Sequence, residues 1–235
     1  MSILNELQHD SPMGVEIHKL VSRLLRKSQR NDIKMISVTS ALRGEGKSTT
    51  VAYLVTALAM DPGRRILAMD LDLRRPTLGS HFGMKTEFGM VELLKKECSL
   101  RQAITQTELP GLDLLLTNEA DPRLLHDSTE LAEIFKAVRA EYDMVILDLP
   151  ALVPVPDAAA LLPHTDGVIL IVMAGLTTKH HLNSARDLCL GVGANILGFV
   201  VGNIQEAAPE YLDAGYYQYA RQNAKQSSKQ KGLRP

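Results

Sequence analysis

A glycine-rich stretch in the first quarter of the chain has the residue types that hold phosphate groups. It spans residues 41–49 and reads ALRGEGKST. Gly44 and Gly46 let the backbone wrap closely around phosphate oxygens, and successive N–H groups then point at the anion. Lys47 is placed to reach the terminal phosphates of a nucleotide, and the Ser48 hydroxyl is a ligand for Mg²⁺. The strict motif begins with glycine, whereas this stretch begins with alanine.

Three carboxylates follow later apolar runs. Asp70 and Asp72 stand in MDLDLRRP, and Asp148 stands in VILDLP. Residues two apart on an extended strand share a face, so we predict that Asp70 and Asp72 point the same way. Mg²⁺ takes few direct protein ligands and keeps several waters. We therefore predict Ser48 as a direct ligand, with Asp70 and Asp148 holding coordinated water.

These groups need a scaffold, and the apolar pattern predicts one. Six short apolar runs alternate mostly with helical patterns, which predicts an α/β fold with a mainly parallel, twisted sheet covered by helices on both faces. In such sheets, ligands bind beyond the carboxyl ends of the strands. The predicted strands are residues 34–40, 64–70, 111–117, 142–150, 166–174 and 195–203, and the predicted helices are residues 48–60, 89–96, 99–104, 127–141 and 177–190.

Two segments, one near each end of the chain, are rich in basic residues. Apolar residues at helical spacing, with basic residues elsewhere around the helix, predict an amphipathic helix near the N-terminus. Our default interpretation is that it packs on its own domain, with a subunit or membrane-surface contact as alternatives. Residues 221–235 hold five basic residues and no acidic one, and we expect disorder there. The helix pattern consists of Ile17, Leu20, Val21, Leu24 and Leu25, with Lys19, Arg23, Arg26, Lys27 and Arg30.

The composition suits a soluble globular protein. The 235 residues are 45% hydrophobic with a net charge of −1, and the length fits one large domain. Cys98 and Cys189 stand far apart in no metal-like spacing, which favours a reducing compartment. The longest apolar run, GVILIVMAGL, is far shorter than the roughly 20 residues of a spanning helix. We therefore expect a cytoplasmic protein.

Four of the six tyrosines fall within nine positions near the C-terminus: Tyr211, Tyr216, Tyr217 and Tyr219. Gly, Ala, Gln and Asp separate them, and a basic tail follows, which makes poor core material. Packing of Tyr211 on the last strand, or covering of an interface, remains an alternative. Beside a nucleotide site, the cluster is better interpreted as a substrate.

Taken together, these motifs resemble the bacterial tyrosine kinases of capsular and exopolysaccharide biosynthesis. GEGKST, ILAMDLDLRRP and YDMVILDLP resemble, in that order, the three Walker-type motifs of the family, and the similarity extends from about Glu16 to Tyr219. The chain departs from the family at Arg43, where proline is common, and in reading Asp-Leu-Pro-Ala at its third motif. Of the family's Glu-x-x-Arg-x-x-Arg oligomerisation motif, only Glu16 and the base Lys19 remain, because Ser22 replaces the last arginine.

The resemblance implies an ATP-dependent protein-tyrosine kinase with a P-loop fold of the MinD/ParA-like type, ATP and Mg²⁺ as cofactors, and autophosphorylation of the tyrosine cluster. Asp72 is implied as acceptor of the phenol proton, with Asp70 and Lys47 as further catalytic residues, and Arg74 and Arg75 as contacts to phosphate, to a neighbouring subunit or to a surface salt bridge. The implied nucleotide-binding residues are Arg43, Gly44, Glu45, Gly46, Lys47, Ser48, Thr49 and Asn203.

The resemblance also implies a membrane chain-length regulator as activating partner, recruitment to the inner face of the cell membrane, self-association and no nucleic-acid partner. We predict three regions: an N-terminal helix region (1–30), an ATP-binding kinase domain (31–208), and a tyrosine cluster with a basic tail (209–235).

Two other functions remain open. A nucleotide-switched ATPase of the MinD/ParA type shares the fold, but Leu42 stands where those proteins carry a signature lysine. A nucleotide-binding scaffold of polysaccharide assembly with little phosphotransfer is the third hypothesis, because the motifs are altered at Arg43 and Ala151.

Overall fold

A seven-stranded sheet organises the part of the chain that the computed structural model describes, namely residues 3, 7, 11–118, 121, 123–124 and 128–203. The strand order is β3-β4-β2-β5-β1-β6-β7, and every neighbouring pair is parallel except β3 with β4. The predicted α/β class is therefore confirmed. The strands are β1 (Met35–Ser40), β2 (Ile66–Asp70), β3 (Ile104–Gln106), β4 (Leu112–Leu115), β5 (Met144–Asp148), β6 (Gly167–Met173) and β7 (Ile196–Gly202).

Helices cover both faces of the sheet. They are α1 (Pro12–Asn31), α2 (Lys47–Ala59), α3 (Leu78–Phe82), α4 (Met90–Leu94), α5 (Leu100–Ala103), α6 (Ser128–Glu141) and α7 (Lys179–Gly191), and a 3-10 helix spans Pro156–His164. The central strands β2, β5 and β1 are buried along their whole length. Continuous apolar runs of this kind are what a sheet covered on both sides requires, because both faces of each strand lose contact with water.

The predicted amphipathic helix is α1, and it packs on its own domain, which confirms the default interpretation. Its N-cap is Ser11, whose hydroxyl accepts a hydrogen bond from the N–H of Gly14 at 2.9 Å. Ile17, Val21 and Leu24 are buried in the hydrophobic core that also contains the apolar side of α2. Within the described ranges, no helix has both the length and the apolar character needed to span a membrane.

Two predictions were wrong in detail. Helix α5 ends at Ala103, and residues 104–106 form strand β3, where a helix over residues 99–104 was predicted. The extended backbone of Ile104 is stabilised by antiparallel pairing with Leu115 on β4, a contact that no local pattern indicates. Strand β2 ends at Asp70, so Asp72 lies in the following turn and does not share a strand face with Asp70.

Candidate functional site

A cleft of about 400 Å³ opens where the central strands end. Strands β2, β5 and β1 are neighbours in the sheet, so the segments that leave their carboxyl ends lie side by side. Because the three predicted motifs follow these three strands, the fold brings them together although they are far apart in the sequence. The lining residues are Arg43, Gly44, Gly46, Lys47, Ser48, Thr49, Asp72, Arg74, Arg75, Thr77, Ser80, His81, Pro150 and Val155.

The phosphate loop has a backbone that only glycine adopts readily. Gly44 and Gly46 have φ angles of 80° and 83°, in the left-handed region. Gly46 is the N-cap of α2 and provides no side chain to cap the helix, so the first N–H groups of α2 remain available to an anion. The N–H and the hydroxyl of Thr50 both donate to the Gly46 carbonyl at 2.8 Å, which fixes this turn.

Glu45 stabilises the phosphate loop through its buried side chain, and we call its contact with Thr177 the brace of the loop. The Glu45 carboxylate accepts hydrogen bonds from the N–H of Leu42 at 2.7 Å and from the Thr177 hydroxyl. The Thr177 hydroxyl in turn accepts from the N–H of Met173 at the end of β6. The loop is thereby tied to the β6–α7 connection, and the predicted nucleotide contact of Glu45 is left to its main chain.

Asp148 is a buried carboxylate without a hydrogen-bond partner on either oxygen within the described residues. The pKa of Asp148 is raised to about 7: burial is the main cause and the Asp72 charge adds to it, while the nearby Ser48 hydroxyl and Lys47 charge oppose the rise. Unpaired buried charge is costly unless something binds it. Two unsatisfied oxygens beside Ser48 and Lys47 fit a Mg²⁺ site in which Ser48 is the hydroxyl ligand and Asp148 holds coordinated water.

Asp70 has a different environment, although its carboxyl is also wholly buried. Its two oxygens accept from the backbone N–H groups of Asp72 at 3.2 Å and of Leu78 at 3.0 Å. Burial, and then the charge of Asp148, raise its pKa well above the ordinary value, against these two hydrogen bonds. Asp70 therefore holds the 71–78 segment in place, and its oxygens are less available to a metal than those of Asp148.

Asp72 faces the cleft from the turn after β2. Its Oδ1 accepts from the N–H of Arg75 at 3.1 Å, and no described residue donates to its Oδ2. The side chain is half-buried, so it is open to a substrate hydroxyl that enters the cleft. This position suits the predicted proton acceptor, even though the predicted strand geometry was wrong.

Comparison with known proteins now decides the family. A family model described as an AAA domain matches residues 33–180. The tyrosine-protein kinase YwqD of Bacillus subtilis (strain 168) is 32% identical over 187 residues, covering 79% of this chain and 78% of that protein. The chain belongs to the bacterial tyrosine-kinase family. The predicted family and the predicted enzyme class, a protein-tyrosine kinase, are both confirmed.

Solved structures agree with this family and with the predicted P-loop fold. The crystal structure of the chimerical protein CapA2B2 matches with a TM-score of 0.77 at 28% identity, over 83% of this chain and 86% of that one. The septum site-determining protein MinD of Pyrococcus horikoshii OT3, complexed with Mg-ADP, matches with a TM-score of 0.60 at 26% identity, over 72% of this chain and 69% of that one. The scaffold is therefore common to this kinase family and to MinD.

The cleft of this family member also contains residues that the sequence did not single out. Thr77 donates a hydrogen bond to the Ser48 hydroxyl at 2.9 Å, and Ser80 and His81 of α3 line the opening. Burial lowers the pKa of His81. The Asp70 carboxylate accepts from the N–H of Leu78, the first residue of α3, and so helps to hold Thr77 and α3 beside the phosphate loop; no local sequence pattern indicates this contact.

Asn203 and the tyrosine cluster are the remaining predicted site residues. Asn203 follows β7, and its side-chain amide donates to the Ala174 carbonyl at 3.4 Å; it is not among the residues that line the cleft. Its left-handed backbone, with φ at 58°, suits a turn residue after Gly202. The phosphoacceptor cluster (Tyr211, Tyr216, Tyr217 and Tyr219) lies outside the described residues.

Proposed function

We propose that this chain is an ATP-dependent protein-tyrosine kinase that phosphorylates its own C-terminal tyrosines. The observation that carries this proposal is the unsatisfied, buried carboxylate of Asp148 beside Ser48 and Lys47, two residues of a glycine-shaped phosphate loop. A protein of this fold stabilises such a charge by binding the metal and phosphates of a nucleotide.

The chain's own residues divide the work between binding and transfer. Backbone N–H groups of residues 43–49 hold the phosphates, and Lys47, which is almost wholly buried, offsets charge on the phosphoryl group in transfer. Mg²⁺, when bound by Ser48 and by water held on Asp148, neutralises phosphate charge. Asp72 orients the attacking phenol and accepts its proton.

The acceptors in this proposal are Tyr211, Tyr216, Tyr217 and Tyr219. An unperturbed phenol has a pKa of about 10, so a proton acceptor at the cleft assists its attack on phosphorus. Each phosphate adds about −1.5 to −2 charges, so the phosphates of a modified cluster repel one another and the triphosphate of a bound ATP. The cluster therefore serves as both substrate and switch: it docks at a neighbouring subunit when unmodified and leaves when modified.

The kinase acts in polysaccharide synthesis or export in this proposal. The resemblance to kinases of capsular and exopolysaccharide biosynthesis supports a role in controlling polysaccharide synthesis or export from the cytoplasm. A membrane chain-length regulator is then the activating partner and recruits the kinase to the inner face of the membrane. The similar structure of the chimerical protein CapA2B2 is consistent with a kinase that works together with a separate partner protein.

Phosphotyrosine mapping tests the proposal. The full chain is incubated with ATP and Mg²⁺, alone and with membranes from its source cells, which carry any membrane-bound activator. Mass spectrometry should then find phosphate on the tyrosine cluster. Lys47→Met should abolish the signal, whereas Lys85→Met, which removes an exposed lysine outside the cleft, should leave it unchanged. ATP hydrolysis without phosphotyrosine in either setting would overturn the proposal and favour a MinD-like switch.

A further inference from the structure

Three arginines make the mouth of the cleft strongly cationic. Arg43 comes from the phosphate loop, and Arg74 and Arg75 come from the turn after β2; all three are exposed and line the same opening. Of the described residues that line the cleft, Asp72 is the only acidic one. A substrate segment that approaches the cleft therefore meets a surface suited to carboxylates.

Arg74 and Arg75 are held close to the proposed proton acceptor. The N–H of Arg75 donates to the Asp72 carbonyl at 3.0 Å and to the Asp72 Oδ1 at 3.1 Å, which closes the turn on itself. A tyrosine whose hydroxyl reaches Asp72 must bring its flanking residues past this turn. The guanidinium group binds carboxylate through two parallel hydrogen bonds, so acidic flanks are the chemistry that this turn selects.

The four tyrosines of the cluster differ in the acidic residues that flank them. Tyr211 follows Glu210 directly, and Asp213 stands two residues beyond it. The other three tyrosines of the cluster have no acidic residue within two positions on either side, and Arg221 stands two residues after the last of them. The cluster thus contains one tyrosine with acidic flanks and three without.

We propose that the Arg74–Arg75 turn selects acceptor tyrosines with acidic flanks, so that Tyr211 is phosphorylated before Tyr216, Tyr217 and Tyr219. This inference rests on the proposed function and adds a substrate class to it. In the reaction, the Tyr211 phenol oxygen bonds to the γ-phosphorus, the bond from that phosphorus to the ADP oxygen breaks, and the phenol proton passes to Asp72. ADP and phosphotyrosine are the products.

Time-resolved mass spectrometry of the full chain with ATP and Mg²⁺, with source-cell membranes if these are needed for activity, tests the order. Phosphate should appear on Tyr211 first. The double variant Glu210→Gln/Asp213→Asn should slow modification of Tyr211 about three- to tenfold, the range expected when exposed charge pairs are lost. Glu206→Gln, which removes a more distant acid of the same tail, is the matched control and should leave the order unchanged.

Binding of peptides separates recognition from catalysis. Fluorescence anisotropy should show that a labelled peptide of residues 206–216 binds several-fold more tightly than its Glu210→Gln/Asp213→Asn counterpart. The Arg74→Gln/Arg75→Gln protein should lose this difference while retaining affinity for ATP. Loss of ATP affinity with an unchanged peptide preference would instead assign the arginines to the nucleotide and overturn the inference.

The remaining outcomes distinguish the two proposals. Phosphate that appears first on Tyr216, Tyr217 or Tyr219 overturns the acidic preference and leaves the kinase proposal standing. An unchanged rate of Tyr211 phosphorylation in the Glu210→Gln/Asp213→Asn variant has the same meaning. Absence of phosphotyrosine from every sample overturns the kinase proposal and this inference with it.

Discussion

Asp70 and Asp148 lie opposite each other, in register, at the last positions of the neighbouring parallel strands β2 and β5. Both carboxyl groups are wholly buried, but only Asp70 has hydrogen-bond donors from the described residues. The two carboxylates therefore have different roles. Asp70 holds the turn that contains Asp72, whereas both oxygens of Asp148 are available to bind a ligand. The adjacent charges are costly until that ligand arrives.

Asp148→Asn should stabilise the ligand-free protein while abolishing its response to Mg²⁺ and ATP. Removal of one buried charge relieves desolvation and repulsion, and we expect the free energy of unfolding to rise by about 1 to 2 kcal/mol, which corresponds to a melting temperature roughly 2 to 8 °C higher. Differential scanning fluorimetry with and without Mg²⁺ and ATP measures both effects. The exposed variant Asp187→Asn should retain the ligand response, and a lower melting temperature for ligand-free Asp148→Asn would contradict the interpretation.

Thr177→Val should weaken the brace behind the phosphate loop. The substitution removes the hydroxyl between the Glu45 carboxylate and the N–H of Met173, and we expect a loss of about 1 to 3 kcal/mol in stability because a buried acceptor loses its partner. The KM for ATP should rise about fivefold, with a smaller change in kcat, since a loosened loop binds phosphate less well. Thr177→Ser keeps the hydroxyl and should restore both values. Equal stability and equal KM in the valine variant would show that the brace has no role.

Tyr142→Phe should cost stability without affecting phosphotyrosine yield. Tyr142 is buried, and its hydroxyl donates to Asp113 at 2.8 Å. Burial raises its pKa above the ordinary value, and the Asp113 hydrogen bond raises it further, so its phenol is a poor nucleophile. We expect a loss of about 0.5 to 1.5 kcal/mol in urea unfolding. Phosphate found on Tyr142 in the folded wild-type protein would refute its structural assignment.

Asp166→Asn should destabilise the protein at neutral pH and have little effect in acid. The Asp166 carboxylate accepts from Arg139 twice at 2.9 Å, from the N–H of Lys34 at 2.8 Å and from the N–H of Met35 at 2.7 Å. Burial raises the pKa of Asp166, but these bonds outweigh it and bring the pKa below its ordinary value of 3.8.

A lowered pKa in the folded state adds stability above pH 3.8, and this contribution is lost as the pH falls through the folded value. The cost of Asp166→Asn should therefore be about 1 to 3 kcal/mol at pH 7 and shrink towards pH 3. Urea unfolding at several pH values measures it. A cost that does not vary between pH 7 and pH 3 would show that charge is not the cause.

The parts of the fold that follow from local pattern were predicted from the sequence. The phosphate loop is a contiguous motif, and its glycines have the left-handed backbone that the motif requires. The buried strands are continuous apolar runs, so both their existence and the parallel α/β class followed directly. The apolar stripe of α1 likewise predicted which side of that helix is buried.

Other features depend on partners that are distant in the sequence. Strand β3 forms because Ile104 pairs with Leu115, and the sequence around it favours a helix. The brace joins Glu45 to Thr177, which are 132 positions apart. Asp70 and Asp72 were predicted to share one face of an extended strand, whereas β2 ends at Asp70 and a turn follows.

The sequence by itself determined the chemistry of this protein, because a phosphate loop, three aspartates and a tyrosine cluster are properties of residue type and spacing. Tertiary structure decided what each carboxylate does. Asp70 and Asp148 have the same side chain and the same place at a strand end, and only their neighbours differ. Backbone N–H groups satisfy Asp70, whereas Asp148 has none within the described residues, and that difference in hydrogen bonding separates the anchoring role of Asp70 from the metal-binding role that we propose for Asp148.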